Sequence, residues 1–296
     1  MSTLTGCGTA IVTPFTGIGD VDWPAFKALV EWQVEEGIDF LVACGTTGEA
    51  QTLSDDERAR VVTATVQAAK GRVPVMAGAT SNDTRRAVED VRRMCDAGAD
   101  LILTASPYYN RPTQDGLRRH FEAVADASAR PVVLYNVPGR AGVNLLPATA
   151  VAVGAHNNVI GIKEAAGDMH QALELLRIRP AGFRVFSGDD WMALPLCAAG
   201  GDGLISVASN EMPRELTALV RLARSGDLAG AQALQWKLMP LLDANFIESN
   251  PIPVKAALAM MGRIGNTLRL PLVPAQPATE ARLRQELSRL NVRLVP

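Results

Sequence analysis

Apolar positions along this chain follow two alternating patterns. Short runs in which nearly every residue is apolar, such as Phe40–Ala43 and Val132–Tyr135, are separated by longer stretches in which apolar residues recur every three or four positions. The first pattern marks strands buried on both faces, as in a parallel sheet, and the second marks helices with one face on a core. Strand-like runs fall at Thr9–Val12, Phe40–Ala43, Val73–Ala77, Leu101–Thr104, Val132–Tyr135, Val159–Lys163, Arg184–Ser187 and Gly203–Val207. Between and after them lie helix-like stretches at Pro24–Glu36, Asp55–Lys70, Asp83–Ala97, Gln114–Ser128, Pro147–Gly154, Asp168–Arg177, Trp191–Ala199 and Pro213–Arg224. Eight strand–helix units in series predict an α/β fold, a (β/α)8 TIM barrel. Ser54 and Glu57 have the spacing of a capping box, and Gly37, Gly98 and Gly200 fall where helices should stop.

After Arg224 the strand-like runs cease. Ser225-Gly226-Asp227 opens a long amphipathic stretch to Ala244, and further helices fit Ile252–Met261 and Thr279–Leu290. Pro271, Pro274 and Pro277 read as a stiff connector between the last two. The expected organisation is a catalytic barrel over residues 1–224 and a C-terminal three-helix appendage over residues 225–296.

Composition narrows the class. Of 296 residues 48% are apolar, enough for a large core, and the formal net charge is −2. No basic stripe with interleaved aromatics suggests a nucleic-acid partner. No apolar run approaches the roughly 20 residues of a membrane span. The N-terminal stretch does not read as a signal peptide, and the expectation is a cytoplasmic protein. Cys7, Cys44, Cys95 and Cys197 are widely spaced and read as buried free thiols. His120, His156 and His170 lack metal-ligand spacing and read as peripheral, and no metal site is expected.

The chain has only five lysines, and Lys163 is the one that ends an apolar strand. An ammonium there is expensive to desolvate, whereas an amine suits Schiff-base chemistry on a carbonyl compound. Glu164 is a poor partner for it, because adjacent strand residues point to opposite faces. Tyr135 ends the preceding strand and could relay protons. Arg140 follows the turn-forming Pro138-Gly139 pair, and its guanidinium fork suits a carboxylate. Gly45-Thr46-Thr47-Gly48-Glu49 follows the second strand and offers hydroxyls and backbone N–H groups to a small anion. Asp189, Asp190 and Asp202 argue against a phosphate site beside strands seven and eight. They read as turn and cap residues, with the flanking glycines allowing close approach of backbone to a small substrate. Tyr108 and Tyr109 lie on a loop that could cover the site or pack on another subunit.

These segments, together with Asn250-Pro251-Ile252-Pro253-Val254-Lys255, occur in the order found in the dihydrodipicolinate synthase family, which the chain resembles over nearly its whole length. The resemblance implies a lyase that condenses pyruvate with L-aspartate 4-semialdehyde on the route to diaminopimelate and lysine. It implies a homotetramer, a dimer of dimers, with no metal and no cofactor. Lys163 would form the imine, and Tyr135 would move protons. Thr46 would link Tyr135 to Tyr109 of a neighbouring subunit. Thr47 would hold the pyruvate carboxylate and Arg140 that of the aldehyde, with the Gly188 and Ile205 backbones lining the site. Ala141 departs from the threonine common after that arginine. Aligned on the family's lysine-inhibition site, Asp55 replaces a histidine and Arg86 a glutamate, while Arg58 occupies a further position and Asn82 and Tyr108 match. Feedback inhibition by lysine is therefore expected to be weak or absent. Alternatives are a related sialic-acid lyase or a sugar-acid aldolase or dehydratase, and a non-catalytic barrel that binds a keto acid.

Overall fold

A computed structural model describes residues 4–295. Eight strands close into a parallel barrel: β1 (Gly6–Ala10), β2 (Phe40–Ala43), β3 (Val75–Gly78), β4 (Leu101–Ala105), β5 (Val132–Asn136), β6 (Val159–Glu164), β7 (Arg184–Ser187) and β8 (Gly203–Ser206). β8 returns to β1 with Gly203 opposite Gly6, which completes the TIM barrel. Each strand is followed by at least one helix. Ser54 caps the helix Asp55–Ala69, and the side chain of Glu57 reaches back to the Ser54 N–H, so the capping box forms.

Side chains alternate along the strands. Val133 and Tyr135 point into the barrel, where they join Phe40, Val42, Met76, Leu103, Phe186 and Ile205. Leu134 and Ile162 point outward into the larger core beneath the helices. The Phe40 and Phe186 rings meet edge to face inside the barrel, with centroids 5.6 Å apart.

The first strand begins at Gly6, three residues earlier than its apolar run suggests. A side chain on Gly8 would lie 2.0 Å from the Phe40 ring, so the glycine here is a strand residue that makes room for an aromatic neighbour. β3 likewise extends to Gly78, where an added Cβ would meet the carbonyl of Cys44 at 2.1 Å. Two further readings need correction. The turn expected at Pro138 is a single helical turn, Pro138–Ala141, closed by Gly142 at φ 75°. The stretch Trp191–Ala199 divides into a 3-10 turn at Asp190–Met192 and a short helix at Ala193–Ala198.

Beyond the barrel helix Pro213–Ser225 come the helices Leu228–Ala244, Ile252–Met260 and Pro277–Arg289. Pro277 opens the last helix and does not belong to the connector before it. It stands at the first helical position, where no N–H is needed. Arg269, between the last two helices, reaches back to the barrel side. It donates to Glu57 at 2.8 and 2.5 Å, to the Thr52 carbonyl at 2.8 Å and to the Gly19 carbonyl at 2.8 Å. This holds Arg269 against the segment between β2 and the end of the first turn of the helix that follows it.

Candidate active site

In the β5–β6 register Tyr135 stands opposite Lys163. Aligned positions on neighbouring parallel strands share a face, so both side chains enter the top of the barrel. The Lys163 Nζ lies 4.4 Å from the centroid of the Tyr135 ring, and the lysine is 5% exposed. Its stem runs across the loop after β7, where a Cβ on Gly188 would fall 2.8 Å from Lys163 Cε. The close approach expected near this glycine is thus made by the lysine itself.

Glu164 faces the other way, as strand alternation requires. It accepts from Asn136 Nδ2 at 3.1 Å, from Gln171 Nε2 at 3.1 Å and from the Ala166 N–H at 2.7 Å. Burial raises its carboxyl above the usual range.

Lys163 and Tyr135 open onto a cavity of about 390 Å³, also lined by Thr46, Thr47, Arg140, Gly188, Asp189 and Asn250. That volume suits a small ligand. Tyr108 lines the cavity as well. Two of the expected site residues do not line this cavity within a single chain. Tyr109 is 89% exposed, sits at φ 74° and does not line this cavity. The Ile205 side chain belongs to the packed barrel interior. Among the described residues no group of three or more His, Cys, Asp or Glu converges as metal ligands.

The three aspartates expected as turn and cap residues do different work. Asp190 is buried and accepts from Ser206 Oγ at 2.5 Å and from the Val207 and Ala208 N–H groups at 3.1 Å each, tying the loop after β7 to the loop after β8. Asp189 lines the cavity, and its Oδ1 is buried without a partner among the described residues. Burial and the repulsion of Asp190 push the Asp189 carboxyl up to about 6, against the opposing pull of the Trp191 N–H and Lys163. Asp202 precedes β8, at the far end of the barrel, where it pairs with Arg179 and Arg184. His120 is buried and not peripheral. It stands 3.0 Å from Thr84 Oγ1, and burial pushes it down to about 4. Of the four free cysteines, Cys7, Cys44 and Cys197 are buried and Cys95 is partly exposed.

Several residues that shape the site have partners far away in the chain. Asn250 donates through Nδ2 to Thr47 Oγ1 at 2.9 Å and accepts at its carbonyl from Arg140 at 3.2 Å. Lys255 forms a buried ion pair with Glu49 at 2.6 Å and donates to the Thr13 carbonyl at 2.9 Å. One local sign of the second pair was present. Lys255 is the only charge in Ile252–Met260, a helix apolar on every side, and a charge buried there needs a partner.

A closed parallel barrel with a buried lysine beside a tyrosine at its C-terminal strand ends defines an enzyme class, that of barrels equipped for amine chemistry on a carbonyl substrate. Residues 3–290 match the model of the dihydrodipicolinate synthetase family, and the chain belongs to that family. The 4-hydroxy-tetrahydrodipicolinate synthase of Koribacter versatilis (strain Ellin345) is 53% identical over 283 residues, which are 95% of this chain and 94% of the relative. The crystal structure of the chloride-inhibited dihydrodipicolinate synthase from Acinetobacter baumannii complexed with pyruvate superimposes with a TM-score of 0.97 at 42% identity, covering 98% of this chain and 100% of that one. A monomeric dihydrodipicolinate synthase variant matches equally well, with a TM-score of 0.97 and 42% identity over 99% of this chain and 98% of that one.

Proposed function

We propose that the chain condenses pyruvate with L-aspartate 4-semialdehyde, the reaction named for its relatives, through an imine on Lys163. The observation that carries this reading is the pairing of Lys163 with Tyr135 over a cavity that also presents Thr47 and Arg140. The Lys163 amine adds to the pyruvate ketone, and loss of water gives the iminium. A C3 proton leaves to give the enamine, whose C3 attacks the aldehyde carbon of the second substrate. The α-amino group of that substrate then displaces Lys163 from C2, releasing a cyclic product. Tyr135 carries protons to and from the carbinolamine and the new alkoxide. Thr47 holds the pyruvate carboxylate, and Arg140 holds that of the aldehyde. A panel of aldehydes offered with pyruvate tests the reading. Aspartate semialdehyde should give product at the highest kcat/KM. Preference for an aldehyde sugar such as N-acetylmannosamine, or turnover with none, would contradict it.

We place the enzyme in the cytoplasm as a homotetramer, with residues 1–224 as the catalytic barrel and residues 225–296 as the appendage. Unbridged thiols at all four cysteines suit a reducing compartment. The exposure of Tyr109 in a single chain suits a side chain that reaches a partner's site and completes a proton path through Thr46 to Tyr135. Tyr109→Phe should lower activity with the oligomer intact. Mixed dimers of Tyr109→Phe and Lys163→Ala chains should regain activity, because one of their two sites is then complete. Verified mixed dimers without activity would remove Tyr109 from the site.

Millimolar lysine should leave turnover nearly unchanged. Arg86 is exposed where inhibited relatives place a glutamate toward the ligand ammonium, and like charges disfavour binding. Asp55 does not offset this freely, since it is already paired with Arg93 at 3.1 Å and Arg58 at 3.8 Å. Arg58 is held in turn by the buried Asp90. A titration with half-inhibition in the tens of micromolar would refute the expectation.

A further inference from the structure

The Glu49–Lys255 pair is one of the most deeply buried charge contacts in the chain, with side chains 1% and 0% exposed. Such a pair gives little net stability, because desolvation of both ions offsets their attraction. An apolar pair of similar volume often serves the fold as well. What an ion pair adds is geometry, since a short charge-assisted contact permits few alternative arrangements.

The geometry held here is that of the substrate loop. Glu49 ends the Gly45–Glu49 segment in a left-handed conformation at φ 53°. One carboxylate oxygen meets Lys255 Nζ at 2.6 Å, and the other accepts from the Arg269 N–H at 3.2 Å. Lys255 also donates to the Thr13 carbonyl, and Thr13 Oγ1 donates to the Gly48 carbonyl at 2.7 Å. Glu49, Gly48 and Thr13 are therefore fixed around a single ammonium supplied by the C-terminal helices. The Phe15 ring, 4.3 Å from Nζ to centroid, closes one side. Thr46 and Thr47 lie three and two residues from this anchor and face the cavity.

We infer that Lys255 is a positioning residue for the keto-acid half of the reaction, acting through Glu49 to hold Thr46 and Thr47 at the distance from Lys163 that imine formation requires. The inference rests on the keto-acid reading of the site given above. It assigns the appendage a part in catalysis through contact with the loop after β2, with no movement over the cavity mouth. The effect is selective, because Lys255 touches the threonine loop and not Arg140.

The test compares Lys255→Met, Glu49→Gln and the double variant by thermal unfolding and by two-substrate kinetics. Lys255→Met strands a buried carboxylate, so its unfolding midpoint should fall by roughly 6 °C or more. The double variant removes both charges, and its midpoint should return to within roughly 3 °C of the parent. Its kcat/KM for pyruvate should nevertheless remain about tenfold to a hundredfold low, with a clearly smaller loss in kcat/KM for the aldehyde, because Thr47 holds only the first substrate whereas the proton path through Thr46 serves both. Glu49→Gln leaves a lysine that can shed its proton, and it should show the same split even if Lys255→Met does not fold. A double variant that regains both stability and pyruvate kcat/KM would reduce the pair to a structural role, as would equal losses for the two substrates. Failure of the unmodified chain to condense pyruvate with any aldehyde would instead remove the reading of the site.

Discussion

Lys163→Ala is expected to lower turnover by several orders of magnitude while the chain remains folded. The covalent route requires an amine at this position, and no other group lining the cavity can form an imine with a ketone. Lys255 cannot substitute, since its Nζ is engaged by Glu49 and the Thr13 carbonyl outside the cavity. Truncation removes a stem that rests on Gly188 and an amine that lies over the Tyr135 ring, but it extends a space already open to the cavity. The loss therefore appears in turnover and not in folding. Steady-state rates and thermal midpoints on the same preparations check this. A variant with turnover within tenfold of the parent would remove Lys163 from the mechanism.

Arg140→Ala should give the second large effect, divided unequally between substrates. Removing the charged partner of a desolvated carboxylate costs about 2–5 kcal/mol, so kcat/KM for aspartate semialdehyde should fall by roughly 30-fold to several thousandfold. The rate of imine formation with pyruvate should change by less than about threefold, because Thr47 keeps its own bond from Asn250 Nδ2. Arg140→Lys restores charge without the two-pronged fork and should recover only part of the loss. Rapid-mixing measurement of imine formation beside steady-state kinetics separates the halves of the reaction. Equal losses in both would reassign Arg140 to holding the turn at Asn250, with which it is also bonded.

Wherever the controlling physics was local, the amino-acid sequence was a sufficient guide. Runs apolar on both faces located all eight strands, because a barrel strand is covered inside and out. Strand alternation alone separated Lys163 from Glu164. Most of the errors that bear on the site fall where a residue answers to a distant neighbour. The first strand was expected to start at Thr9, but Gly8 belongs to it because the Phe40 ring fills the space a side chain would need. Arg140 was expected on a simple turn, but Pro138 starts a helical turn that Gly142 closes. Asn250, Glu49 and Lys255 draw their importance from contacts more than 100 residues away, and the one local sign, a lone charge in an apolar helix, says that Lys255 needs a partner without naming it. Tyr109 is a different case, since the account gives it a role that a single chain cannot display.

The central claim is that pyruvate becomes covalently attached to Lys163, and the most direct measurement is reductive trapping. The chain is incubated with pyruvate and borohydride, its intact mass is recorded, and the modified lysine is located by peptide mapping. The account predicts one reduced pyruvyl group per chain, on Lys163, with none on the Lys163→Ala variant. An adduct on another lysine, or an unmodified chain that still consumes pyruvate, would contradict it.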